Sequence, residues 1–284
     1  MNLDHPLIES VAIPLAAALL LTGLAWRFGR RGWAGVAVAP AVLLATLLIV
    51  NGWHWPALTG LHKLPWLIAL LLALQVVALA CTTPRTRQIW ALATIAVVLS
   101  GLVWIGWPRL AHHAARTTVE IGAVLPAILI AIALLARTTG GITQVATAVV
   151  VAALGVAGMA FLAGSLALMQ LGLAIAAATG GFALWNWPRP RFAFSPEFVW
   201  LMVSSLGLIV ALVLWLTPIP RWAPTPLLLI ATLPALVARL PLPARWSRTL
   251  LAPVLVALLA APLIGLAVWL STPAPVAESD LYYH

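Results

Sequence analysis

Residues 137–189, RTTGGITQVATAVVVAALGVAGMAFLAGSLALMQLGLAIAAATGGFALWNWPR, run from one arginine to another with no charged side chain between them. A helix rises about 1.5 Å per residue and the hydrocarbon core of a bilayer is about 30 Å thick, so about 20 apolar residues make one crossing. The interval therefore holds two crossings joined by a tight turn near Gly164 and Ser165, a membrane hairpin. From Val119 to Ala183 there is no Trp, although the chain has 15, and Ala and Gly are prominent among the apolar positions. Small residues let helix backbones approach closely, and Gly172, Ala176 and Gly180 fall four apart on one face, which predicts a helix-packing face with a partner against it.

Composition extends this reading to the whole chain. Its 284 residues are 64% hydrophobic and 7% charged, with a mean hydropathy of +1.10, whereas soluble domains carry roughly 25% charged residues. The fold class expected is all-α, a polytopic integral membrane protein. A net charge of +9 raises the question of nucleic acid, but the basic residues stand singly or in twos and threes between apolar runs, as in cytoplasmic loops, so no nucleic-acid partner is expected. Cys81 is the single cysteine, which excludes an internal disulfide and a multi-cysteine metal site. The first apolar run starts at Leu7 without a basic leader or a cleavage site after it, and reads as a retained helix.

Apolar windows place about ten transmembrane helices, at 7–26, 33–50, 64–81, 89–107, 119–136, 143–163, 165–185, 197–216, 225–240 and 249–270. Pro6, Pro65, Pro196 and Pro226 suit first turns, where a proline has no hydrogen bond to lose. Alternate loops then carry eleven of the Lys and Arg residues on one side (Arg27, Arg30, Arg31, Arg85, Arg87, Arg137, Arg189, Arg191, Arg239, Arg245 and Arg248) and four on the other (Lys63, Arg109, Arg116 and Arg221). The positive-inside rule puts the eleven in the cytoplasm and both termini on the outer, periplasmic side. The ninth crossing, short and holding Pro234, is the one on which this count turns. Every Trp falls near a helix end, and the Trp-free helices between 119 and 183 are expected to be the most enclosed.

Residues 1–270 read as a single transmembrane helical bundle, with halves 1–141 and 142–270 of five crossings each, and 271–284 as a polar C-terminal tail. An odd number per half would invert one half relative to the other, as in many transporters. Pro126 and Pro262 sit at comparable depths in the two halves, but Pro14 and Pro40 have no counterparts.

Candidate chemistry is sparse. All six histidines map to the outer face, and His54, His62, His112 and His113 are the candidate metal ligands, since neutral imidazole is a common ligand and several loops converge there; the alternative is that histidines simply suit wet interfacial loops. A haem held by these outer histidines is the other form such a site could take, whereas a transmembrane bis-His haem pair is excluded, because it needs inner-side histidines; the cofactor is otherwise unknown. The loop Asn51–Pro56 reads as an interfacial anchor, with ligand stacking as its alternative. His112 and His113 with Arg116 and Glu120 form either an acid–base cluster or, by their spacing of four, a structural ion pair.

Inside the bilayer the polar side chains are Gln75, Thr94, Ser100, Gln170, Ser204 and Ser205. No ionisable group sits at mid-depth, which argues against a proton antiporter. Gln75 and Gln170 are the substrate or helix-contact candidates. No HExxH, GxSxG, P-loop or GxGxxG-after-strand pattern is present, so no catalytic residue is named.

Three functions follow. The first is a non-catalytic integral membrane protein, a structural, assembly or accessory subunit packing against other membrane proteins in the lipid bilayer. The second is a small permease for an apolar or neutral substrate, and the third is a membrane enzyme or metal-handling protein using the outer histidines. Short loops and Ala-, Leu- and Arg-rich composition suggest a bacterial inner membrane.

Overall fold

The computed structural model describes residues 5–28, 31–80, 84–136, 141–187, 191–192, 196–220, 222–240 and 251–272. Arg30, Arg137, Arg189, Arg221, Arg245, Arg248 and the tail from residue 273, His284 included, lie outside them. The described residues are helical, with no strand among them. In chain order they form α1 (Ile13–Arg27, led in by a π turn at Ile8–Ala12), α2 (Val38–Ile49, led in by a 3-10 stretch at Arg31–Ala37) and α3 (Gly60–Ala80). The run Pro84–Ala136 follows, then α6 (Ile142–Leu162), α7 (Leu166–Trp185) and α8 (Pro196–Leu216). A broken stretch Thr225–Val237, here α9, and α10 (Ala252–Ser271) complete the bundle.

Pro84–Ala136 is two helices. His113 leaves the helical region at φ −139° and ψ 50°, and a methyl on Gly106 would sit 3.5 Å from Thr117 Cγ2. In a continuous helix those residues would lie roughly 16 Å apart along the axis. Residues 84–112 (α4) and 114–136 (α5) are thus an antiparallel hairpin, and Ala91 and Thr94 share a cavity with Leu129 and Ala133. The loop expected between crossings at 108–118 contracts to a sharp bend within helix.

Among the described residues seven helices are long and apolar enough to cross a bilayer, counting this hairpin once. The chain is an all-α polytopic membrane protein. Two segments are shorter. Before α2, seven 3-10 residues rising about 2.0 Å each extend twelve α-helical ones to roughly 32 Å, which reaches across the hydrocarbon. By contrast α9, interrupted by a 3-10 turn at Ile230–Thr232, covers only roughly 21 Å. Three helix-start expectations are met, with Pro6 opening the helical run that leads into α1, Pro196 opening α8 and Pro226 second in α9. Pro65 is displaced: α3 already begins at Gly60, putting the proline inside its second turn.

The turn between α6 and α7 falls where the hairpin reading put it. Gly164 takes φ +73°, a left-handed conformation that costs glycine little. The Ser165 N–H then donates to the Ala160 carbonyl and the Gly164 N–H to the Phe161 carbonyl, each at 2.9 Å. Two carbonyls left over at the end of α6 are satisfied by this pair of bonds. Asn51, at φ 60°, does the same for α2, with the Gly52 N–H on the Leu47 carbonyl at 2.7 Å.

The most enclosed helix is α8, not the Trp-free ones: 89% of its membrane window is buried, against 61% for α6 and α7. It packs against α3, the α4–α5 hairpin, α6, α7, α9 and the 3-10 stretch before α2. Trp200 and Trp215 do not prevent this, because both sit near its ends. Close approaches draw the others in: a methyl on Gly207 would overlap Ile128, and one on Gly172 would lie 2.9 Å from the Ala157 backbone nitrogen.

The proposed packing face is only partly that of Gly172, Ala176 and Gly180. Gly172 meets α6 and Ala176 is buried, but Gly180 faces open space, and it is Gly181 that lies close to α1, where an added methyl would come within 2.8 Å of the Leu15 carbonyl. Gly172→Leu should therefore lower the thermal unfolding midpoint in mild detergent, at a cost of about 1–3 kcal/mol or more from overpacking. Gly180→Leu should change stability by less than about 0.5 kcal/mol. Equal midpoints for the two variants would contradict this packing.

Candidate functional site

Pro108 has no N–H, so the carbonyl four residues before it, that of Trp104, loses its helical partner. Lys63, from α3, supplies the replacement: its Nζ donates to the Trp104 carbonyl at 2.7 Å and lies 5.5 Å from the centroid of the Trp104 ring. Lys63 is almost wholly buried, 5% exposed. A carbonyl in hydrocarbon without a donor is costly, and a cation on the freed end of a helical segment is favoured by the peptide dipoles.

Arg109 repeats the device one turn on. The end of α8 leaves its last carbonyls unpaired, and Arg109 Nη2 donates to that of Trp215. The Trp215 indole N–H in turn donates to Glu120 Oε2 at 3.0 Å, and Arg116 Nε reaches Glu120 Oε1 at 3.4 Å. Glu120 is 3% exposed and the Arg116 side chain 44%. The ion pair expected from the spacing of four is present. One carboxylate and three cations thus tie the ends of α3, α4, α5 and α8 together, and every contact named is a tether rather than a nucleophile aligned with a base.

The aromatic loop lies at the same end. Trp53 packs on Trp66 at 4.6 Å between centroids, Trp55 meets Trp66 edge-on at 5.9 Å, and the Trp66 N–H donates to the His54 carbonyl at 3.2 Å. With Trp53 and Trp55 half or more exposed, the loop is a knot of interfacial rings filled by its own side chains. The opposite end has its own knot, where Trp26 and Trp185 lie 5.9 Å apart and Arg191 covers Trp185. Arg191 thus lies at the end of the bundle opposite to Lys63, Arg109 and Arg116.

Of the candidate metal ligands, His54 and His62 are brought together, stacked face to face at 4.0 Å and 6°. Imidazole lone pairs lie in the ring plane, so stacked rings do not converge on one ion. His113 forms the hairpin bend with His112 beside it, and both are exposed. Among the described residues no group of three or more His, Cys, Asp or Glu is placed to hold a metal.

Deeper in the bundle, Gln75 and Gln170 are both buried. Neither Gln75 amide atom has a hydrogen-bond partner, nor do the hydroxyls of Ser204 and Ser205. Thr22 is unpaired as well, whereas Ser10, Thr46, Thr94 and Thr217 bond to the carbonyl four residues back. Gln75 and Gln170 line none of the three cavities described, which are walled almost entirely by apolar side chains.

Comparison with family models, with curated proteins and with solved structures finds no match to this chain.

The Lys63 tether had one sequence signal, a lysine in an apolar helix together with a proline in the next. Nothing in the sequence pointed to the pairing of Trp215 with Glu120. If Lys63 replaces an amide that Pro108 lacks, Lys63→Met should destabilise the protein by about 1–3 kcal/mol. Adding Pro108→Ala, which restores the helical N–H, should recover most of that loss. Additive effects in this double-mutant cycle, read by thermal unfolding, would rule the substitution logic out.

Proposed function

We propose that the protein is a non-catalytic subunit of the membrane, a structural or accessory component that packs against other integral membrane proteins. One observation carries the reading: the central helix α8 is enclosed on its flanks by the chain's own helices, so the bundle is built as a solid body. Its charged groups at the Lys63 end are engaged in holding helix ends. Its periphery is different in character. Gly158, Gly180 and Gly265 face open space, apolar grooves run beside α6, and α10 is only 17% buried over its window. Small residues on an outward surface permit close approach by a helix from another protein.

In this proposal ten segments cross a bacterial inner membrane, with α9 as the short one and the Lys63 end outside. A membrane-impermeant thiol reagent applied to intact cells should label Leu58→Cys, in a Cys81→Ala background, and spare Arg239→Cys; the reverse pattern would invert the topology. Extraction in mild detergent followed by native mass spectrometry should yield a stoichiometric complex with another integral membrane protein. Recovery of a monomer alone, from membranes where the protein is expressed at its natural level, would overturn the subunit reading.

A small permease is the second reading, favoured by the unpaired Gln75 amide and by the two 3-10 interruptions near α2 and within α9. Interrupted helices are a feature of many carriers. Flux of small neutral solutes into proteoliposomes above that into protein-free liposomes would favour it over the first.

A further inference from the structure

We propose that the groove between α1, α6 and α7 binds one anionic phospholipid, with an acyl chain in the groove and the phosphate at Arg191 and Arg27. The groove is open to the membrane, about 340 Å³ in volume, and lined by Leu15, Thr147, Val150, Gly180, Ala183 and Leu184. Its one hydroxyl is turned away, since Thr147 Oγ1 donates to the Thr143 carbonyl at 2.8 Å. Gly180 keeps the trough open, with nothing within 4 Å of a methyl placed there. The lining therefore offers hydrocarbon and room for a chain.

Two indoles stand where the groove reaches the end of the bundle. α7 finishes at Trp185, next to the lining residue Leu184. On α1, eleven residues, about three turns, carry the face of Leu15 on to Trp26. The two rings lie 5.9 Å apart, and the Trp185 N–H donates to the Leu19 carbonyl at 3.0 Å. Indoles favour the headgroup level, so this pair marks where a lipid in the groove would carry its phosphate.

Charge is placed at the same point. Arg191 lies 5.7 Å from the centroid of the Trp185 ring, and Arg27 follows Trp26 in the last turn of α1. The backbone of Arg191 is clipped in place: Asn186, wholly buried, accepts the N–H of Arg191 at 3.2 Å and that of Phe192 at 3.1 Å. Asn186 Nδ2 donates in turn to the Phe182 carbonyl at 3.2 Å. Both arginines are exposed. Contact with a ring uses the guanidinium's charge and none of its five N–H donors, which suit bidentate binding of a phosphate. The described carboxylates are elsewhere, Glu9 ahead of α1 and Glu120 with Arg116 and the Trp215 indole at the opposite end.

The second groove beside α6, against Ile264 and Val268 of α10, lacks this pairing. The chain carries no charge from Phe161 to Ser165 or from Val268 to Ser271, where that groove ends. It remains open to a protein partner, so the lipid site goes beyond the subunit reading.

The test is native mass spectrometry of the full chain in mild detergent, with dioleoylphosphatidylglycerol as the probe and dioleoylphosphatidylcholine as the neutral control. One phosphatidylglycerol per chain should be retained in preference to phosphatidylcholine. Arg191→Gln and Arg27→Gln should each weaken that retention by about fivefold, the share of one basic side chain at an anionic surface. Gly180→Leu fills the groove and leaves every charge in place, and it should abolish the selective adduct. Equal retention of the two lipids would overturn the site. So would selective retention undiminished in Gly180→Leu, which would reduce the arginines to a general surface charge. Displacement of the lipid by inorganic phosphate would place binding at the arginines alone and equally end the proposal. These outcomes are read on the single chain, whether or not a partner protein co-purifies.

Discussion

A backbone carbonyl in hydrocarbon has no water to turn to, and three helix breaks of this protein show what answers it instead. At Pro108 the answer is Lys63, reaching from α3 to the Trp104 carbonyl. At the end of α8 it is Arg109 on Trp215. At the end of α6 the chain turns through Gly164 and uses its own amides. Lys63 and Arg109 thereby act as backbone partners, and their charge falls at carbonyl-rich ends where the peptide dipoles favour it. This explains how a nearly fully buried lysine stands in a membrane protein without a carboxylate beside it.

Once helix ends are satisfied, what remains is shape. Between helices in a bilayer the hydrophobic effect adds little, because lipid tails are as apolar as leucine, and association rests on close packing and interhelical bonds. The chain meets this by surrounding one helix, α8, with the others, and by placing glycines where a side chain would collide: Gly172 against α6, Gly181 against α1 and Gly207 against Ile128. Polar side chains inside this body are few. Several threonines turn their hydroxyls back to their own helices, while Thr22, Gln75, Ser204 and Ser205 do not. The contrast between a closed centre and an open periphery underlies the proposed function.

The membrane class, the α6–α7 hairpin with its turn at Gly164 and the Arg116–Glu120 pair were all legible in the residues, because each depends on spacing along one helix or on the length of an apolar run. Other features were not. The helices of this chain are apolar nearly all round, so no amphipathic stripe shows which face points inward; Gly180 and Gly181 differ by one residue, and only one meets a neighbour. Trp position proved a guide to depth but not to enclosure, since α8 carries a Trp near each end and is the most buried of all. Grouping the four histidines on one face was a statement about sidedness, and sidedness does not aim imidazoles at a common point.

By itself the sequence determined that this is a helical membrane protein and where its long apolar segments fall. Those are one-dimensional properties, set by hydrocarbon thickness and by the cost of burying charge. Only the tertiary structure decided that α8 lies at the centre, that Lys63 takes the carbonyl Pro108 frees, and that Gln75 is left unpaired. Such outcomes depend on the rotation and crossing of each helix against the next, which packing sets and hydropathy does not encode.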